Sequence, residues 1–375
     1  MGSGSVSARA TLAVAVAVVS VLVTLGSGWP VSVRRATATA AQAAPALPRL
    51  GAVQTVDSND VGDPYILRVP PGVAPPSGLP WAGPGPDGYQ SAPWSAATAR
   101  EAYAHGWYVL FGTTDWQANV PTAVSTDLVN WTQAPDALPV LPRWAQPSIS
   151  MTWAPAALRT ATGWVLYYST EEASSKRECI GAAVATSPAG PYTDRSAAPL
   201  LCQRDLGGSI DPSVVAGPAG REYLLWKNDG NSSHHPDRLW SARLAPEGLG
   251  LAGPAHPLMG TDEPWDAGVV EAPAMIPATS GGYWLFYSAG RWDSQQYGTG
   301  LARCRTVTGP CVDTSDRPFL YTSGGMVSPG GLDTFTALDG RMWAAFTALV
   351  AVPSQWHPGR VYYNRVLDIA PVLSH

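Results

Sequence analysis

Three carboxylates stand in matching surroundings along this chain of 375 residues. Asp63 precedes Pro64 in GDPYILRV, Asp211 precedes Pro212 in SIDPSVV, and Glu271 lies two residues before Pro273 in VVEAPAMI. An Asp-Pro pair by itself is an ordinary turn opener. Three acids in phase, each beside apolar residues, mean more in a chain with only 14% charged residues, because a carboxylate left unpartnered there is costly. Converging carboxyls suit the cleavage of a glycosidic bond. One protonates the leaving oxygen, one works on the opposite face of the sugar to activate water or attack, and a third raises the acid's pKa by like-charge repulsion. Asp60, three residues before Asp63, is out of phase and is read as capping or lining the approach.

A repeat positions these acids. Five aromatic runs recur: GWYVLFGT (106–113), GWVLYYST (163–170), REYLLWKN (221–228), GYWLFYSA (282–289) and GRMWAAFT (340–347). Ahead of the last four lies a short apolar segment with a proline, Pro155, Pro212, Pro273 or Pro329, at intervals of 57, 61 and 56 residues. A third apolar or alternating run follows each aromatic one. The order strand, turn, aromatic strand, loop, strand is a meandering antiparallel sheet. Five such sheets bury both faces by stacking radially, so the expected fold is an all-β, five-bladed β-propeller, with the proline-bearing strands innermost. A β-sandwich would not keep this period. The Pro-, Gly- and Ala-rich stretch of about 70–98 reads as a surface insert between the first two strands of blade 1.

Composition agrees. The chain has 38 Gly, 36 Pro and 16 Trp, which excludes disordered and helical-bundle classes. Its net charge of −5, with no long cationic run, leaves no footprint for nucleic acid and points to a neutral ligand. Residues 1–45 read as a secretory signal and Ala-rich leader: Arg9, an apolar stretch from Ala10 to Leu25, then small-residue sites around Ala36–Ala44. The alternative is an uncleaved anchor, and either places the domain at 46–375 outside the cytoplasm. The expected product is a secreted monomer with no membrane contact beyond that segment. Cys179, Cys202, Cys304 and Cys311 suit that compartment. The six residues between Cys304 and Cys311 predict a local staple, and Cys179 with Cys202 would bridge a second hairpin, although four cysteines allow three connectivities. No ligand spacing for zinc is present.

GDPYILRV, TWAPAAL, SIDPSVV, LLWKNDGN, VVEAPAMI and YWLFYSAG, in that order, resemble glycoside hydrolase family 43, over about 57–370. The resemblance implies a five-bladed enzyme that attacks arabinans, arabinoxylans and xylo-oligosaccharides by single displacement with inversion. It assigns Asp63 as general base, Glu271 as general acid and Asp211 as the acid that tunes and orients Glu271. Inversion implies carboxyls of Asp63 and Glu271 roughly 6.5–9.5 Å apart. A histidine that helps hold a metal or waters in the channel of the family is replaced here by Gly331 in SPGG. No cofactor is expected to be required, and calcium through carbonyls, water or Asp333 stays open.

For the substrate, a plant cell-wall polysaccharide or oligosaccharide, Trp153 in TWAP is placed to stack on a sugar face or to pack between blades. Trp116 and Trp265 lie in loops suited to outer subsites. Asn228 and Asp229 match the family's WK-DGN segment beside Lys227, and Arg291 follows the fourth aromatic strand. Trp107, Trp164, Trp226 and Trp284 read as core. Arabinofuranosidase or arabinanase activity is favoured over β-xylosidase. The alternatives are a retaining fructan or sucrose hydrolase with Asp63 as nucleophile, and a non-catalytic carbohydrate-binding propeller.

Overall fold

Successive residues of a strand face opposite ways, so a run apolar throughout needs two buried sides. The aromatic runs meet that condition at every blade. The structure, a computed structural model, describes residues 47–57, 60–77, 79, 94–115, 117–147, 152–353 and 361–374. The expected leader, the body of the insert and Trp116 lie outside the described residues. No helix among those described is long and apolar enough to cross a membrane.

Five antiparallel sheets follow one another along the chain. Blade 1 is β3 (Tyr65–Val69), β4 (Trp107–Phe111), β5 (Thr122–Ser125) and β6 (Thr132–Ala134), preceded by β1 (Arg49–Leu50) and β2 (Gln54–Asp57). Blade 2 is β7 (Thr152–Arg159), β8 (Trp164–Glu172) and β9 (Arg177–Ala185). Blade 3 is β10 (Ile210–Ala216), β11 (Glu222–Asn228), β12 (Arg238–Arg243) and β13 (His256–Gly260). Blade 4 is β14 (Val270–Pro277), β15 (Tyr283–Ala289), β16 (Gly298–Cys304) and β17 (Cys311–Asp313). Blade 5 is β18 (Val327–Thr336), β19 (Met342–Pro353) and β20 (Val361–Ser374). Each innermost strand neighbours the next, from β3 through β7, β10, β14 and β18 back to β3, which makes the ring a five-bladed propeller. The N-terminal β1 and β2 both pair with β20, so blade 5 is completed by the two ends of the ring.

The core is five seams. Val109 and Phe111 of blade 1 meet Leu166 and Tyr168 of blade 2, while Val165 and Tyr167 turn the other way onto Leu224 and Trp226 of blade 3. Leu225 packs with Leu285 and Tyr287, Trp284 and Phe286 pack with Phe346, and Ala345 packs with Tyr108 and Leu110 to close the circle. Trp107, Trp164, Trp226 and Trp284 are buried in these seams, as expected. Each fully buried ring contributes about 1.5–3 kcal/mol relative to exposure.

Two features depart from the plain repeat. The described end of the blade 1 insert forms a helix, α1 (Ala96–His105), which the strand periodicity did not predict. Its alanines favour helix, and the Ser95 hydroxyl accepts the Thr98 N–H at 3.0 Å as N-cap. Gly106 is therefore a helix cap and not the start of an aromatic strand. Blade 2 has three strands among the described residues, and its outer edge is covered by bridges from Leu201 to Ile180 and from Thr193 to Val184.

Both expected disulfides form, Cys179–Cys202 across 23 positions and Cys304–Cys311 across 7. A cross-link stabilises more when it closes a longer loop. Cys179→Ala/Cys202→Ala is expected to lose about 3 kcal/mol in equilibrium urea unfolding, about 1 kcal/mol more than Cys304→Ala/Cys311→Ala. Equal losses would show that loop closure does not govern either bridge.

Candidate active site

Proline has no N–H to give a ladder, so a proline inside an inner strand must interrupt the pairing. Four of the five prolines stand at one height, and in blade 5 that height is held by Gly331, also left-handed at φ 59°, three residues beyond Ser328. The residues before the five prolines, Asp63, Ala154, Asp211, Ala272 and Ser328, have φ of 46°, 44°, 57°, 47° and 53°. These are left-handed values that cost about 1–3 kcal/mol for a residue with a side chain. The register slips there between Trp153 and Ala156, Ile210 and Ser213, Glu271 and Ala274, and Val327 and Gly330. Such bulges re-aim side chains. Residues at this height line one open cavity, among them Asp63, Tyr65, Ala154, Asp211, Ala272, Gly331 and Asp333.

Asp63 and Asp211 line this cavity, and Glu271, one residue before the lining Ala272, is near enough for its charge to act on both. Asp63 and Asp211 hold the left-handed position, whereas blade 4 has Ala272 there and Glu271 one residue earlier. Trp153 matches Glu271, not the aspartates: it faces Ser169 across the ladder as Glu271 faces Ser288.

Neighbouring blades are stitched at this height. Thr113, Ser169, Ser288 and Thr347 occupy the same place opposite the inner strands, and the Thr347 hydroxyl donates to Val61 O at 3.0 Å. Thr113 Oγ1 accepts from the Ala154 N–H at 2.9 Å, Ser169 Oγ from the Asp211 N–H at 3.1 Å, and Ser288 Oγ from the Gly331 N–H at 2.8 Å. In blade 3 this place belongs to Lys227, opposite Ile210. The Ala272 N–H is bound instead by the carboxylate of Asp211, whose Oδ2 lies 2.9 Å away. Asp211 is thus tied to the residue that follows Glu271.

Each carboxyl has its own partners. Thr113 donates to Asp63 Oδ2 at 2.5 Å. Burial raises the Asp63 pKa above the ordinary aspartate value, opposed by Thr113 and by the charge of Arg365, while Glu271 adds to the rise. Asp211 is raised further, first by burial and then by the negative charges of Glu271 and Asp63, against the pull of Lys227. Glu271 receives Lys227 Nζ on Oε2 at 3.0 Å and the Tyr297 hydroxyl on Oε1 at 2.8 Å. Asp60 does not enter the cavity. It holds the Arg365 guanidinium with two bonds, at 2.9 and 3.2 Å.

Other expected contacts lie elsewhere. Asn228 is buried, its amide donating to Leu206 O and Pro236 O and its oxygen accepting from Trp240, so its polar atoms serve the loop. Asp229 is buried with Oδ1 3.9 Å from Lys227 Nζ. Trp265 stacks on Tyr287 at 5.8 Å between blades 3 and 4, and the exposed Arg291 pairs with Asp293 at 2.7 Å. Tyr297, Thr113 and Arg365 had no local signal in the sequence. Lys227 had one, in the WK-DGN segment that it shares with Asn228 and Asp229, and of those three it is the one bonded to Glu271.

At the place of the expected histidine Gly331 has φ +59°, and a Cβ there would stand 2.9 Å from Asp63 Oδ1, so a side chain would press on that carboxyl. Asp333 lines the cavity with Oδ1 bound by the Thr334 N–H, and burial pushes its pKa up to about 7. Among the described residues, the one group of three acidic, histidine or cysteine ligands is Glu172, Cys179 and Cys202, and its two sulfurs are bonded to each other.

The raised pKa of Asp211 sets a sign. An acid whose folded pKa lies above its unfolded value contributes stability below the unfolded value, and this is lost as pH rises through the folded one. Asp211→Asn keeps an oxygen for the Ala272 N–H and removes the charge. It is expected to raise the melting temperature by about 2–4 °C at pH 7, with the gain fading toward pH 3. A loss at pH 7 would contradict the electrostatic account.

The sequence model of glycosyl hydrolases family 43 matches residues 96–373. The extracellular exo-alpha-(1->5)-L-arabinofuranosidase ArbA of Cellvibrio japonicus is 27% identical over 232 residues, 55% of this chain and 64% of that protein's length. A thermostable family-43 glycoside hydrolase superposes with a TM-score of 0.62 at 20% identity, covering 83% of this chain and 89% of its own. The endo-arabinase of Bacteroides thetaiotaomicron gives 0.60 at 18% identity, over 86% and 98%. These two are likenesses of fold. With the family pattern spanning most of the propeller, the chain belongs to glycosyl hydrolase family 43 and is a glycosidase acting on O-glycosyl bonds.

Proposed function

We propose that the protein is an exported, inverting glycosidase of arabinose- or xylose-containing plant polysaccharides or oligosaccharides, with arabinofuranosidase or arabinanase activity ahead of β-xylosidase. The observation that carries this reading is the meeting of three carboxyls from three blades, coupled through their charges, with Asp211 bound to the backbone next to Glu271. The arabinofuranosidase relative favours arabinose over xylose. Two disulfides and the N-terminal sequence favour export.

In this mechanism Asp63 is the base. Thr113 holds its Oδ2, and the absence of a side chain at Gly331 leaves Oδ1 room for a water. The water attacks the anomeric carbon as Asp63 takes its proton. The glycosidic C–O bond breaks, and Glu271 gives its proton to the leaving oxygen. Asp211 fixes the strand that carries Glu271 through its bond to the Ala272 N–H.

Asp63→Asn and Glu271→Gln are each expected to lower kcat/KM by about 10²–10⁴-fold on a panel of linear arabinan, arabinoxylan and aryl pentosides. Unchanged hydrolysis would sink the assignment. Proton NMR of the first-formed sugar is expected to show the inverted anomer, and a retained one would make Asp63 a nucleophile. The acid limb of kcat/KM is expected above the ordinary aspartate value. Arg365→Met removes a charge that lowers the Asp63 pKa, so the limb should move up by about one pH unit. A limb that stays put would separate Arg365 from the base.

A further inference from the structure

We propose that Lys227 is a positioning residue that dictates which oxygen of Glu271 carries the transferable proton, with Tyr297 as the switchable partner of that oxygen. The inference rests on Glu271 being the general acid. An ammonium group has three donors and no acceptor. With Nζ at 3.0 Å, Oε2 of Glu271 must accept, so a proton on the carboxyl sits on Oε1. Oε1 is the oxygen 2.8 Å from the Tyr297 hydroxyl. A phenol both donates and accepts, so it bonds the carboxylate before reprotonation and the acid afterwards.

The placement of Lys227 is specific to this blade. All four other blades have a hydroxyl here, Thr113, Ser169, Ser288 and Thr347, bonded to the backbone of the next blade, and in blade 3 the carboxylate of Asp211 takes that task. The lysine is fully buried and is held in place by Asn231 Oδ1 at 2.7 Å, Asp237 Oδ2 at 3.5 Å and Asp229 Oδ1 at 3.9 Å. Burial opposes its charge, but Glu271, Asp237, Asp211 and Asp229 hold the ammonium above its ordinary pKa. The Tyr297 ring is fixed against Gly330, where any Cβ would collide with it. The charged and titratable groups around Glu271 are thus Lys227 and Asp237 of blade 3, Asp211 on β10, Asp63 at the start of blade 1 and Tyr297 ahead of β16.

The test is a leaving-group series of aryl pentosides with Lys227→Met, Tyr297→Phe and Glu271→Gln. A dinitrophenolate departs without a proton, whereas a sugar or methyl alcohol needs one. Lys227→Met is expected to lose about 10–100-fold on poor leaving groups and under about 3-fold on the dinitrophenyl substrate. Its alkaline limb of kcat/KM should move upward by about one pH unit. Tyr297→Phe should show the same leaving-group dependence with a smaller loss. An equal loss across the series with the limb in place would overturn the proposal and leave Lys227 a structural residue. Glu271→Gln separates the two readings: if it loses selectively and Lys227→Met does not, only the present inference fails. If Glu271→Gln shows no selectivity, the assignment of the acid fails first. If Lys227→Met does not fold by circular dichroism, Lys227→Met/Asp237→Asn removes one charge of each sign from the cluster and is judged by the same outcomes.

Discussion

A proline that cannot donate to its neighbouring strand governs this molecule. Pro64 opens its inner strand and the other four lie within theirs, where the pairing slips; at all five the preceding residue turns left-handed. Five such residues cost several kcal/mol together, which the aromatic seams offset. The interruption frees backbone donors near the axis. Their partners are supplied by side chains of the adjacent blade, so the device that opens the ladders also binds the blades.

Charge at the axis follows from that arrangement. Where a carboxylate replaces a hydroxyl as the stitching group, an acid becomes part of the scaffold and stands beside another acid. Asp211 is held there by a backbone bond that does not depend on its being comfortable as an anion. Lys227 offsets part of the negative charge from one side, and Arg365, itself paired with Asp60, offsets part from the other. The site is therefore a balance of three acids and two cations in a half-buried cleft, and each acid experiences a different sum.

Much of this was legible beforehand because it is periodic. The aromatic runs and prolines announce the blades, and the two aspartates announce themselves through Asp-Pro. The half of each contact supplied from far along the chain was not legible. Arg365 meets Asp60 across 305 positions, and nothing local marks either as a partner. Tyr297 reads as one more aromatic residue until its hydroxyl is seen on Glu271. The phase of Glu271 was read one residue too generously, because a bulge makes neighbours in sequence point to different places. Helix α1 was missed because its alanines carry no strand-like pattern.

The joining of β1 and β2 to β20 bears on how the protein is made. A ribosome releases the first strands of the ring more than 300 residues before the strand they pair with. Until then blade 5 is incomplete, and Gly331, which faces Asp63, belongs to that blade. No nascent fragment holds the complete cleft. A chain cut short before residue 361 carries Asp63, Asp211 and Glu271 and still lacks the strand that brings the ring to a close.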